Sequence, residues 1–179
     1  MSIINVWGPK LWYLIHIVAY QYPENPSELY KTNYKLFYIN IIPDVIPCSY
    51  CKMHYMDYLK KNNINHYLNN RIKLIEWTIN AHNNVNKQKG KYIFSLEEAN
   101  VLYNKPIHIV LYQLLKYYYD TSTENYLNFV RFKLFVQNFS IYFPCLNCRK
   151  KLIQAFQKTN SLYDINRIVK YVISQTDCL

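Results

Sequence analysis

The sequence predicts an all-α protein, and two features point that way. Two glycines and seven prolines in 179 residues leave little material for the tight turns of a β-rich fold. Apolar residues instead recur at helical spacing over long stretches. Hydrophobic residues make up 51% of the chain and charged residues 18%, ample for a core in one domain or two small ones.

The first helix is predicted over 7–22, where Leu11, Trp12, Ile15, Val18, Ala19 and Tyr22 repeat at helical spacing. Pro9 is tolerated in a first turn, and Pro23 and Pro26 end the helix. Ser27 caps a second helix that runs to about residue 42, where Pro43 is expected to stop it. Pro47 opens a third helix through Lys61, with two cysteines in its first turn. After an Asn-rich loop, a fourth covers 70–86. "SLEEA" (95–99) is a capping box, Ser95 with Glu98, and starts a short helix to Tyr103. Further helices are expected near 106–119, 124–141, 145–157 and 163–175.

The second half echoes the first. "HIVAYQ" (16–21) returns as "HIVLYQ" (108–113), and "KLFYIN" (35–40) as "KLFVQN" (133–138). "PCSYC" (47–51) returns as "PCLNC" (144–148), and "NNRI" (69–72) as "INRI" (165–168). The matches keep their order, as a decayed tandem duplication would leave them. Two units are therefore expected, 1–104 and 105–179, the second a degenerate copy of the first.

Several function classes recede at once. No run of about 18 uncharged apolar residues predicts a membrane span. The start, "MSIINVWGPKLW", has no charged region followed by an apolar run and a cleavage site, so no secretory signal is expected. The net charge of +10 raises nucleic acid, but the lysines are scattered, with short clusters only at "KQKGK" (87–91) and "CRKK" (148–151). A solvated surface accounts for them better than a nucleic-acid footprint.

The chemistry rests on Cys48 and Cys51, and on Cys145 and Cys148. Two CxxC pairs supply the four ligands of a zinc site, yet such pairs usually stand about 15–20 residues apart, far closer than here. In a redox reading, a pair at a helix N-terminus meets unsatisfied N–H groups and a dipole that favours thiolate. A buried apolar pair is the bland third reading. His16 lies four residues after Trp12, on the same helical face, and "WTINAHNNVNKQKGK" (77–91) crowds His82, Asn83 and Asn86 together. Asparagine is a poor helix former. Such a segment is either a frayed last turn or a set of partners for a planar heteroaromatic ligand.

Together, "WGPKLWYLIH", "PCSYC" and "WTINAHNNVNKQKGK" resemble, in order and spacing, the Erv/ALR family of flavin-dependent sulfhydryl oxidases, over residues 5–105. The resemblance implies a four-helix bundle with a short fifth helix, holding FAD at one end. It places Gly8, Trp12, His16 and Tyr20, then Trp77, His82, Asn83, Asn86 and Lys91, on flavin-contacting positions. Cys48 and Cys51 fall on the active pair, Cys51 facing the flavin and Cys48 exchanging with substrate thiols. The implied reaction turns protein dithiols and oxygen into disulfides and hydrogen peroxide. Many cellular members carry a structural disulfide where Ile79 and Leu96 stand here, so an apolar contact is expected to replace it. The family's usual Leu before Gly-Lys is Lys89 in this chain.

The nearest likeness is to oxidases of large DNA viruses, which implies host cytoplasm or virion as the location. Thioredoxin-like or viral structural proteins would be substrates, and a homodimer through the first helices is implied. Cys145 and Cys148 are a shuttle pair, a remnant of a flavinless copy, or a static disulfide; Cys178 is the odd cysteine. The competing function is a zinc-stabilised helical binding protein without catalysis.

Overall fold

The computed structural model describes residues 4–103, together with positions 150 and 154. Its first helix, α1, spans Ile4–Tyr20. It begins three residues earlier than the periodicity suggests, which places Pro9 inside the helix rather than in its first turn. The exposed ring forfeits one hydrogen bond near the N-terminus and leaves the later turns in register. Beyond Tyr20 the chain tightens, Tyr22 N–H donating to the Ala19 carbonyl at 3.1 Å, and Pro23 ends the run.

α2, Glu28–Leu36, starts at Ser27, whose hydroxyl accepts from the Tyr30 N–H. Pro43 does not stop the helical path. Phe37–Ile41 widens into a π-helical turn, closed by the Ile42 N–H on the Phe37 carbonyl, and α3 follows over Ile42–Val45. Pro43 therefore falls in the first turn of a new segment, where its missing N–H has no role. α4 spans Ser49–Lys61 and α5 Arg71–Gln88, the latter capped by the Asn70 side chain. α6, Leu96–Tyr103, opens on the expected capping box: Ser95 N–H to Glu98 Oε2 at 2.8 Å, and Glu98 N–H to Ser95 Oγ at 3.2 Å. No strand occurs among the described residues.

The backbone divides at Pro106, and Ser2–Pro106 is one compact unit. Within it α1, α2–α3, α4 and α5 form the bundle, and α6 packs on α1 and α5. Leu14, Ile17, Val18, Phe37, Tyr38, Ile42, Leu74 and Trp77 are fully buried at its centre. So aromatic a core must satisfy its hydroxyls, and it does so on backbone carbonyls. Tyr38 donates to Ile15, Tyr55 to Tyr38, Tyr58 to Trp77 and Tyr22 to Leu68, at 2.9–3.2 Å. The Tyr38 carbonyl lies in the widened turn, so Tyr55 ties α4 to that irregular stretch.

α5 does not fray. Lys91 N–H reaches the Asn86 carbonyl at 2.9 Å and Gly90 N–H the Lys87 carbonyl at 3.3 Å, a Schellman turn. Gly90 takes φ +60, which a side chain would resist, and the chain doubles back along the helix. Asn83 pairs with Phe94 through both its amide atoms, at 2.8 and 3.0 Å, and Asn86 donates to the Tyr92 carbonyl at 2.8 Å. The asparagines thus hold the returning strand of chain. Ile79 is buried and Leu96 half-buried where α6 packs on α5. The repeat, the later helices, and Cys145, Cys148 and Cys178 lie outside the described residues.

Candidate active site

Cys48 is the N-cap of α4 and Cys51 its third residue, and the two are joined as a disulfide with Cα atoms 5.2 Å apart. The Cys51 N–H donates to Cys48 Sγ at 3.2 Å. A sulfur at this position meets the positive end of a helix, so reduction there yields a stabilised thiolate. Lys52, bonded to Asp44 at 3.1 Å, ties the first turn of α4 to α3. Joined to each other, these two sulfurs are not the thiolate ligands a zinc site requires.

The cysteines differ in surroundings. Cys51 lines a cavity of about 340 Å³ with Leu11, Ile15, Tyr50 and His54, and Cys48 does not line it. A larger cavity of about 590 Å³ runs along the start of α1 and the end of α5, walled by Tyr13, His82, Asn86, Lys91, Tyr92 and Tyr103. Gly8, Trp12, Val85 and Lys89 line both, so the two are lobes of one cleft. Each lobe has the volume of a small-molecule site.

Its floor is a chain of polar groups inside the bundle. Thr78 donates its hydroxyl proton to the Ile75 carbonyl at 2.8 Å, so toward His16 it can only accept. His16 Nδ1, 3.0 Å from Thr78 Oγ1, therefore carries a proton, and Nε2 is left as acceptor. His82 Nδ1, 3.0 Å from that Nε2, must donate. Its own Nε2 then remains an acceptor on the ring that walls the larger lobe. Burial, and after it His82, holds His16 well below the usual histidine value. Burial, with Lys91 nearby, pushes His82 down to about 4. Both rings are neutral at pH 7. Trp12 stacks on His82 at 4.3 Å and 5°, and Tyr103 on His16 at 4.1 Å.

The structure brings together most of the residues singled out in the sequence. Gly8 and Trp12 line both lobes, His82, Asn86 and Lys91 the larger, and Cys51 the smaller. His16 lies one layer beneath, and Asn83 beside the wall, holding Phe94. Two stand apart. Trp77 is wholly buried against Tyr38 and Tyr58, its Nε1 donating to the Asn62 carbonyl. Tyr20 donates to Asn100 at 2.6 Å, bracing α1 to α6. The sequence reading overlooked His54. It follows Cys51 by one helical turn, the spacing that could have flagged it, and its Nε2 is buried without a hydrogen-bond partner.

A model of the Erv1 / Alr family matches residues 9–104. A protein of Acanthamoeba polyphaga mimivirus named "Probable FAD-linked sulfhydryl oxidase R368" is 39% identical over 94 residues, 52% of this chain and 65% of its own length. The FAD-linked sulfhydryl oxidase of African swine fever virus is 36% identical over 101 residues, 56% of this chain and 82% of its own. Among solved structures, the yeast Erv1 core superposes with TM-score 0.53 at 29% identity, covering 57% of this chain and 85% of that one. The FAD-binding domain of Saccharomyces cerevisiae Erv1 gives 0.51 at 30%, covering 57% and 94%.

Proposed function

This chain belongs to the Erv1/Alr family, and we propose that it is an FAD-dependent thiol oxidase that forms disulfide bonds in protein dithiols. One observation carries the proposal: a disulfide at a helix N-terminus with one sulfur, Cys51, on the wall of a cleft. The cleft suits FAD on its own chemistry. Trp12 and His82 offer flat faces, Lys89 and Lys91 offer cations for phosphates, and neutral imidazole and amide groups offer hydrogen bonds. Gly8, Trp12, His82, Asn86 and Lys91 would hold the cofactor directly. His16 and Asn83 would orient that wall, while Tyr20 and Trp77 fix the helices behind it.

A substrate thiolate attacks Cys48 Sγ, which lies outside the cleft, and forms a mixed disulfide. The Cys48–Cys51 bond breaks and its electron pair leaves on Cys51 Sγ, already at the cleft wall. The second substrate thiolate then displaces Cys48, whose sulfur is received by the Cys51 N–H and the helix N-terminus. When bound, FAD supplies a two-electron acceptor that is reoxidised by oxygen, giving hydrogen peroxide. The surrounding bundle holds the pair in register with the cleft.

The viral relatives support a viral source, with the host cytoplasm or virion as its setting. No helix among the described residues is long and apolar enough to cross a membrane. Thioredoxin-like or viral structural proteins are the proposed substrates, and a homodimer through α1 the proposed assembly. The test is Cys51→Ser in the full chain. Oxygen consumption with a dithiol should vanish while the protein stays yellow with FAD. Turnover at the native rate, or a native protein colourless after reconstitution, would refute the assignment.

A further inference from the structure

Among the described residues, one buried side-chain nitrogen or oxygen has no hydrogen-bond partner, and it is His54 Nε2. An unpaired buried polar atom is costly, so a fold that keeps one has a use for it. His54 sits at i+3 from Cys51 on α4, where side chains are neighbours, and both line the smaller lobe. Its ring is set edge-on against Tyr50, with centroids 4.3 Å apart. The lobe's other polar walls are Tyr50, Tyr55, Gln88 and Lys89. Tyr55 turns its hydroxyl away to the Tyr38 carbonyl, and Tyr50 is largely exposed. Apolar Leu11, Ile15 and Ile46 fill much of the remaining wall. Cys51 is itself half-buried, so a thiolate formed there is partly shielded from water.

We propose that His54, carrying its proton on Nε2, is the hydrogen-bond donor that receives the Cys51 thiolate when the active disulfide opens. The inference rests on the oxidase reading and adds to it the residue that stabilises the inner sulfur. The atoms balance simply: the substrate–Cys48 bond forms, the Cys48–Cys51 bond breaks, and the electron pair comes to rest on Cys51 Sγ. Nε2–H donates to that sulfur and keeps its proton. The outer sulfur is received by a backbone N–H, the inner one by an imidazole. Sequestered this way, the inner sulfur stays reactive toward the cleft instead of being protonated and lost to the next step.

The experiment reads Cys51 itself. Full-length protein is reduced, treated with iodoacetamide at neutral pH, and the rate of modification at Cys51 is followed by peptide mass. His54→Leu should slow that reaction about tenfold, since the thiolate is the form that reacts. His54→Gln, which returns an N–H at similar reach, should come within about threefold of native. Cys48 should react equally fast in both. The Leu variant should melt no lower than native, because it removes an unpaired nitrogen. An unchanged Cys51 rate in His54→Leu overturns the proposal, and so does equal slowing in Leu and Gln, which marks mere packing. Should the Leu variant fail to fold, His54→Asn replaces it: too short to reach, it must slow Cys51, and a native rate overturns the idea. The reaction needs neither FAD nor substrate. A failed rate prediction in a chain that still oxidises dithiols removes His54 alone. The rate effect without flavin or turnover removes the oxidase reading alone.

Discussion

His16 Nε2 and His82 Nδ1 lie 3.0 Å apart in the interior of the bundle, and only one proton can sit between them. Because Thr78 fixes which one, protonating His16 sets two protons against each other, while His82 can take a proton only on Nε2, where burial and Lys91 oppose it. His82 is held at about 4 against an ordinary value of 6.5, and His16 is lowered too. The unfolded chain therefore binds more protons than the folded one between pH 6.5 and 4. Stability from the pair is full above pH 6.5 and is lost as pH falls through that window. His82 alone accounts for on the order of 3 kcal/mol. Thermal melts from pH 7 to 4 should fall steeply, and His82→Gln should flatten the slope. Parallel curves for the two proteins would contradict it.

Thr78 anchors the same chain. Thr78→Val keeps the shape but leaves the His16 Nδ1 proton facing a methyl group, an unpaired buried donor worth about 1–3 kcal/mol. Thr78→Ser keeps the oxygen and should cost less than about 1 kcal/mol. Denaturant unfolding at pH 7 compares them. Equal losses in Val and Ser would show that the methyl, not the hydroxyl, matters.

What could be read in advance was local chemistry. The Ser95–Glu98 box, the cap at Ser27, and the cysteines at the mouth of α4 are set by residues three or four apart. What could not be read depended on partners distant in sequence. Pro43 looks like a stop until the Tyr55 hydroxyl is seen holding the widened turn before it. Asn83 and Asn86 look like a fraying end until the chain returns from Gly90 to meet them. Trp77 reads as a ligand platform from its motif, yet its neighbours are Tyr38 and Tyr58, contributed by two other elements.

Asn83 makes a sharp test of that returning segment. It gives Phe94 both a donor and an acceptor, and Phe94 and Tyr92 line the larger lobe. Asn83→Ala should cost about 1–3 kcal/mol and weaken FAD binding together. Asn83→Asp should fare no better, since a carboxylate would face the Phe94 carbonyl where an amide donated. Fluorescence titration with FAD and chemical unfolding measure the two effects. Native affinity in the Ala variant would detach the segment from the cofactor.

The two motif tryptophans should separate cleanly. Trp12 is half-buried, lines both lobes and stacks parallel on His82, whereas Trp77 is wholly enclosed by the bundle and touches neither lobe. Trp77→Ala leaves a large cavity and should cost about 3–5 kcal/mol. Measured on protein kept folded at low temperature, its FAD affinity should stay within about threefold of native, as the cleft wall is untouched. Trp12→Ala removes a flat face from the cleft while disturbing little of the core. It should lose less than about 2 kcal/mol of stability but about tenfold or more in FAD affinity. Unfolding midpoints and FAD titrations on both variants decide the matter: a Trp77 variant that folds yet binds FAD as poorly as the Trp12 variant would move Trp77 from the core to the site.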